Sequence, residues 1–185
     1  MARLAPYAAP FVAAGVLGLL AAVLFVESGV FNVGATSPHT RLTYWLTHTT
    51  MERSVRRAAR AIAAPPRFTA DQAAEGFRLY DQNCVVCHGA PGVGPGPTAA
   101  GFMPPPPHLI ESAHVWRPAE LFWIMRNGVK MTAMPAWDTR LDDRQTWAVV
   151  AFLNQLPRLN AAGYQHLRQA LGTPSASPRS QAPPP

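Results

Sequence analysis

The chain has 185 residues, of which 48% are hydrophobic and 14% charged, and its formal charge at pH 7 is +6. That length allows one modest domain with flanking segments, and 20 prolines exclude a chain built wholly of regular structure. Residues 69–160 carry a net charge of −1 and the remainder +7, so the basic balance describes the flanking segments. Their arginine-rich part lacks interleaved aromatic side chains, and we predict no nucleic-acid partner.

The first predicted element is an uncharged apolar run over residues 8–26. At about 1.5 Å per residue, a helix of this length spans about 28 Å, enough to cross a bilayer core. The alternative is a cleaved signal peptide, for which Val33-Gly34-Ala35 supplies a small-residue cleavage site. The run is longer than a usual signal core, and that site lies well beyond its end. We therefore predict a retained anchor over residues 1–27.

A basic connector over residues 28–67 comes next, predicted to be helical between residues 40 and 62. Four arginines at i, i+3, i+4 and i+7 share one helix face, and they are Arg53, Arg56, Arg57 and Arg60. The opposite face carries Val55, Ala58, Ala59 and Ile62. An upstream stripe is out of phase with Val55, which predicts two helical pieces; it comprises Leu42, Trp45 and Leu46.

The arginine face has three interpretations at this stage. It is a solvated face of a helix packed on its own domain, a surface for anionic lipid headgroups, or a surface for an acidic partner subunit.

Three helices are predicted in a domain over residues 68–160. Their starts carry recognised helix N-terminal signals. These are Thr69 before residues 70–82, Pro118 at the head of a helix ending near Gly128, and Asp142 with Gln145 before a helix stopped by Pro157.

The run Cys84-Val85-Val86-Cys87-His88 follows the first of these helices. C-x-x-C-H is the attachment signature of c-type haem. Two thiols three positions apart on a helical turn each form a thioether with a haem vinyl group, and the next histidine becomes the proximal iron ligand. A structural zinc site needs four ligands, whereas the chain has only two cysteines. We therefore predict one covalently bound haem c.

The second axial ligand is predicted in the loop after Gly128, where Met131 and Met134 flank Thr132-Ala133. Pro135 restricts Met134 to extended backbone, which suits a rigid strap. Met134 is the first choice and Met131 the second, and His108, His114 or an open site remain as alternatives. The uncharged, proline-rich segment 91–107 is predicted to wrap the haem as a loop.

Five runs of the sequence resemble class I c-type cytochromes, most closely the small membrane-anchored monohaem type. That type is similar to the cytochrome-subunit domains of haem–copper oxidases and of periplasmic alcohol dehydrogenases. The runs are Cys84–Pro95, Gly101–Pro106, Glu120–Ile124, Gly128–Trp137 and Trp147–Leu153.

This resemblance covers residues 69–160. It implies haem attachment at Cys84 and Cys87 and iron ligation by His88 and by Met134 of the K-M-T-x-M-P strap. Such proteins often have a serine cap before the proline at position 118. Arg117 stands there in this chain, which predicts a less well capped helix.

The resulting prediction is an all-α protein, with a small class I cytochrome c domain behind a transmembrane helix and a basic helical connector. Residues 161–185 are predicted to form a Pro/Ser-rich tail that is disordered, with at most a short helix over residues 161–171 and little consequence for function. The resemblance implies a single-pass protein of the bacterial cytoplasmic membrane with its haem domain in the periplasm.

The predicted function is transfer of single electrons between redox partner proteins, without a small-molecule substrate and without enzymatic activity of its own. The chain would act in a membrane-associated respiratory or photosynthetic chain, as a tethered carrier or as a subunit of a larger complex. The alternative is a haem sensor or peroxidase with a displaceable sixth ligand.

Overall fold

The structure, a computed structural model, describes residues 5–171, apart from the side chains of residues 5–7 and 111–113. Within that range every regular element is a helix, which confirms the predicted all-α class. The α-helices are α1 (Ala5–Glu27), α2 (Arg41–Ala58), α3 (Ala70–Asn83), α4 (Val85–His88), α5 (Leu109–Val115), α6 (Pro118–Asn127), α7 (Asp143–Leu153) and α8 (Ala161–Leu171). Three 3-10 turns accompany them, at Ala59–Ala61, Pro97–Gly101 and Leu156–Arg158.

The chain divides into two compact units between Ser37 and Pro38. The first unit contains α1, whose segment Ala8–Glu27 has a mean hydropathy of 2.5 and no buried residue. Its length and composition allow it to cross a membrane, and a signal sequence near an N-terminus has the same properties.

The second unit contains both the haem-motif region and most of the predicted connector. Val55 of α2 is 1% exposed and Ala59 is 3% exposed, and this side of the helix contacts α6. The boundary predicted at residue 67 therefore lies within a packed unit. The prediction of two helical pieces is wrong, because the upstream apolar stripe and Val55 lie on one continuous helix, α2, and differ in phase because they occupy different faces of it.

The packed unit also continues beyond residue 160, where a disordered tail was predicted. Tyr164 of α8 is fully buried, and its hydroxyl donates a hydrogen bond of 2.8 Å to Asp81 on α3. Arg168 forms an ion pair of 3.0 Å with the same carboxylate. These contacts correct the predicted tail boundary, because α8 docks on the domain; residues 172–185 lie outside the described residues.

The core is built on the crossing of α3 and α7. A Cβ atom at Gly76 would overlap the backbone carbonyl of Ala148, so only glycine permits this approach of the two helices. Phe77 and Phe152 meet there with ring centroids 5.4 Å apart. Thr69 and Asp142 are the N-caps of the two helices, as predicted, and Gln72 completes a capping box with Thr69 that the prediction did not include.

The start of α6 has no side-chain cap from Arg117, but Glu120 bonds back to this residue. The buried Glu120 carboxylate accepts a hydrogen bond of 2.8 Å from the backbone N–H of Arg117. It also accepts bonds of 2.9 and 2.7 Å from the Arg117 guanidinium. Glu120 thus satisfies the backbone N–H of Arg117, but no side chain at position 117 accepts from the first turn of α6 as a serine would, in agreement with the prediction of a less well capped helix.

Glu120 should give the unit a measurable pH dependence of stability. Burial would raise the pKa of Glu120, but the Arg117 hydrogen bonds and charge outweigh it and hold this pKa below its usual value. The stabilisation is therefore complete above the unfolded-state pKa of about 4.3 and is lost as pH falls through the lower folded-state pKa. Glu120→Gln should cost about 1–3 kcal/mol of unfolding free energy at neutral pH, and this difference should vanish in acid.

Urea unfolding in mild detergent, followed by circular dichroism at several pH values, measures this difference. Asp138→Asn is the matched control, because Asp138 is exposed and its side chain is not part of the α6 cap. An equal loss of stability at all pH values in Glu120→Gln would contradict the ionised cap.

Candidate haem site

The attachment motif lies on a single helical turn that follows α3 directly. The Cys84 N–H donates to the carbonyl of Tyr80 over 2.8 Å, and the His88 N–H donates to the carbonyl of Cys84 over 2.9 Å. Cys84 and Cys87 are free, half-buried thiols and form no disulfide. The turn therefore presents two unpaired sulfurs followed at once by an imidazole, which fits the donor set of covalent haem.

The Cys84 sulfur is a poor nucleophile or redox group in its thiol form. Burial, and secondarily the neighbouring Cys87, raises the pKa of the Cys84 thiol to about 12. Thiol chemistry at neutral pH requires a thiolate, which this environment disfavours. The environment therefore keeps the Cys84 sulfur in its thiol form.

One ring nitrogen of His88 is held by the backbone. Its Nδ1 atom lies 2.8 Å from the carbonyl oxygen of Pro107, and a carbonyl only accepts, so Nδ1 carries the proton. Nε2 then keeps its lone pair for a metal. Burial lowers the pKa of His88, which favours the neutral imidazole that an iron ligand requires.

The loop after α6 distinguishes the two methionine candidates. Met131 is 96% exposed and has a left-handed backbone with φ of 60°. Met134 is half-buried and packs against the hydrophobic core. His108 and His114, the other candidates, are both exposed. These environments favour Met134 as the distal ligand.

The strap that carries Met134 is fixed by short-range contacts. Val129 N–H donates to the Met134 carbonyl over 3.2 Å, and Met134 N–H donates to the Thr132 hydroxyl over 3.1 Å. Gly128 has φ of 65°, and a Cβ atom there would lie 2.6 Å from the Pro135 carbonyl carbon. The strap thus lies directly against a glycine.

Sequence reasoning missed three residues that position this site: Pro107, Gly128 and Thr132. Gly128 carried a usable signal, because glycine just after a helix marks a left-handed C-terminal residue. The hydroxyl of Thr132 carried one as well, since a threonine hydroxyl commonly bonds the backbone two residues on. The carbonyl of Pro107 carried none, because it meets His88 across 19 residues only in the folded loops.

The four predicted docking arginines lie outside the haem motif. Arg53, Arg56 and Arg57 are exposed on α2, and Arg60 is exposed on the following 3-10 turn. Arg56 pairs with Glu52 at 3.6 Å, and its guanidinium carbon lies 5.7 Å from the ring centroid of Trp116.

Residues 71–153 match the family described as cytochrome c oxidase, cbb3-type, subunit III. This part of the chain is therefore a c-type cytochrome domain, the electron-transferring domain of haem proteins. Over 85 residues the chain is 36% identical to the dihydro-heme d1 dehydrogenase of Pseudomonas aeruginosa. That match covers 45% of this chain and 15% of the relative, so the chain spans a small part of the relative's length.

Gly128→Ala should loosen the Met134 strap without unfolding the unit. The added Cβ atom meets backbone at 2.6–2.8 Å and the left-handed backbone disfavours alanine, so residues 134–136 must shift. We expect weaker sulfur ligation, seen as loss of the charge-transfer absorption between sulfur and ferric iron. Gly18→Ala is the control, because it lies in α1, outside the unit with the haem motif, and a Cβ atom there meets nothing within 4 Å. Full retention of that absorption in Gly128→Ala would contradict the strap's role.

Proposed function

We propose that this chain is a membrane-tethered monohaem electron carrier. Cys84 and Cys87 would hold one haem c by thioether bonds, with His88 and Met134 as axial ligands. The observation that carries the proposal is the attachment turn itself, in which two free thiols precede an imidazole whose Nδ1 is held by the Pro107 carbonyl. The bound haem would supply a one-electron couple between ferric and ferrous iron.

The protein's own residues would set the properties of that couple. His88, held by Pro107, keeps a fixed tautomer and ring orientation. Met134 would contribute a soft, neutral sulfur, which raises the potential relative to two histidines. The buried core on which Met134 packs excludes water from one side of the site, and a fixed ligand set keeps reorganisation small. Electrons would leave by the haem edge, with no small-molecule substrate bound.

The partners are proposed to be oxidoreductases of the same membrane. The matching family is described as an oxidase subunit, and the relative is named as a dehydrogenase. Both names support a domain that passes electrons to or from a larger enzyme. The apolar helix α1 supports a retained anchor, with the haem domain on the periplasmic side of a bacterial cytoplasmic membrane. The chain would then act as a tethered shuttle or as a fixed subunit.

Replacement of Met134 by alanine tests the ligand assignment. We expect a lower midpoint potential, because the soft ligand is lost, and rapid binding of carbon monoxide by the ferrous protein. Met131→Ala is the matched control and should leave both properties unchanged, since Met131 is 96% exposed. Potentiometric titration and carbon monoxide mixing measure them, and denaturing gels stained for haem test for covalent attachment.

Three results would contradict these assignments. A changed potential in Met131→Ala with an unchanged Met134→Ala would move the ligand to Met131. Rapid carbon monoxide binding by the unaltered protein would favour a sensor or peroxidase. If denaturation released haem equally from the unaltered protein, from Cys84→Ser and from Cys87→Ser, thioether attachment would be excluded.

Extraction of native membranes in mild detergent tests the tether and the partners. We expect haem to remain with the membrane after carbonate washing, and the mature N-terminus found by mass spectrometry to include α1. If this chain migrates with other integral subunits in constant proportion, it is a fixed subunit. If it migrates by itself, it is a tethered shuttle. A mature chain that begins after α1 and washes off would contradict the anchor.

A further inference from the structure

Helix α2 has an outward face on which apolar side chains and arginines share one direction. At about 100° per residue, they fall within a sector of roughly 120°. The residues of this outward face are Leu42, Trp45, Leu46, Arg53, Arg56 and Arg57. Leu42, Trp45 and Leu46 are 65%, 60% and 49% exposed, although side chains of this kind are ordinarily covered.

The packing of α2 fixes which way this face points. Val55 is 1% exposed on the opposite side of the helix, where α2 contacts α6. The helix cannot rotate to cover its leucines and Trp45 without exposing Val55 to water. The upstream apolar stripe is out of phase with Val55 because it belongs to the outward face, in line with the arginines.

The outward face is also divided along its length. Its apolar residues occupy the first turns of α2 and its arginines the last turns, over roughly 22 Å in all. Among the described side chains, the arginine of this face that forms an ion pair is Arg56, which lies 3.6 Å from Glu52. Arg60, on the next turn, is exposed as well. One end of the face is therefore exposed and apolar, and the other end is exposed and basic, with Arg56 also lying 5.7 Å from the ring centroid of Trp116.

We propose that the outward face of α2 lies on the anionic phospholipid surface of the membrane that holds α1. The apolar residues would enter the headgroup region, where Trp is favoured, and the arginines would bind lipid phosphates. This inference rests on the proposed anchor. Residues 28–40 join α1 to α2 and span at most roughly 45 Å, so the start of α2 stays near the bilayer.

A lipid surface fits this face better than an acidic protein surface does. An acidic partner would pair with the arginines, but it would leave Leu42, Trp45 and Leu46 against charged groups. The bilayer interface offers both an apolar layer and phosphate within the thickness of one helix. The apolar end of the face is also the end joined to the tether.

The experiment uses the full-length haem-loaded protein in lipid nanodiscs with and without phosphatidylglycerol. A spin label is placed at Leu46→Cys on the outward face or, as the matched site, at Gln155→Cys, which is exposed beyond α7. With phosphatidylglycerol, the label at position 46 should be shielded from a water-soluble nickel chelate and accessible to oxygen. The label at position 155 should remain accessible to the chelate.

Charge removal tests the arginine end of the face. With the label at position 46, the combined change Arg53→Gln, Arg56→Gln and Arg57→Gln should lower the ratio of docked to free protein about fivefold per arginine. Arg158→Gln removes one positive charge from an exposed position outside the face and should leave the ratio unchanged, in place of the about fivefold loss expected for one arginine of the face. Circular dichroism of the triple variant checks that α2 is still folded.

The outcomes separate this inference from the anchor. If the protein is incorporated but the label at position 46 stays in water, docking on the anionic lipid surface is overturned and the anchor stands. The same holds if the label is shielded equally without phosphatidylglycerol. Shielding that requires a co-purifying protein would assign the face to a protein partner and overturn lipid docking as well. Protein that does not enter nanodiscs at all would overturn both the anchor and this inference.

Discussion

The close crossing of α3 and α7 at Gly76 is the constraint on which the rest of the domain depends. Without a side chain at Gly76, the α3 backbone approaches the carbonyl of Ala148, and this brings Tyr80 into the core. The Tyr80 hydroxyl, fully buried, donates a hydrogen bond of 2.6 Å to the carbonyl of Gly89. Burial raises the pKa of Tyr80, which keeps the hydroxyl protonated and able to donate. The crossing therefore fixes both ends of the attachment turn.

The two proposed iron ligands are held in different ways. His88 follows the attachment turn and is oriented by a carbonyl at Pro107, 19 residues further along the chain. Met134 belongs to a strap held by its own backbone and by Thr132, seated on Gly128. One ligand is thus positioned by the helical core and the other by a local loop. Changes in the loop can alter the iron environment while the core stays intact.

The excess positive charge of the chain lies outside the region around the haem motif. The region around the haem motif is nearly neutral, with a net charge of −1 over residues 69–160, whereas the excess positive charge lies elsewhere. Part of that excess is concentrated on α2, which packs on the haem domain through Val55 and Ala59. Because α2 is packed on the domain that carries the attachment motif, docking of α2 would also restrict the orientation of that domain.

The sequence by itself determined the helical class, the N-caps at Thr69 and Asp142, and the attachment motif, because each depends on residues a few positions apart. Tertiary structure decided what depends on distant contacts. No residue near Tyr164 in the sequence indicates that Tyr164 is buried against α3. The apolar stripe at Trp45 is out of phase with Val55, and only the packing of α2 shows that this stripe faces outward. Likewise, the Pro107 carbonyl orients His88 only because a loop folds back. Such contacts join segments that local patterns treat separately, and they arise only when the core is packed.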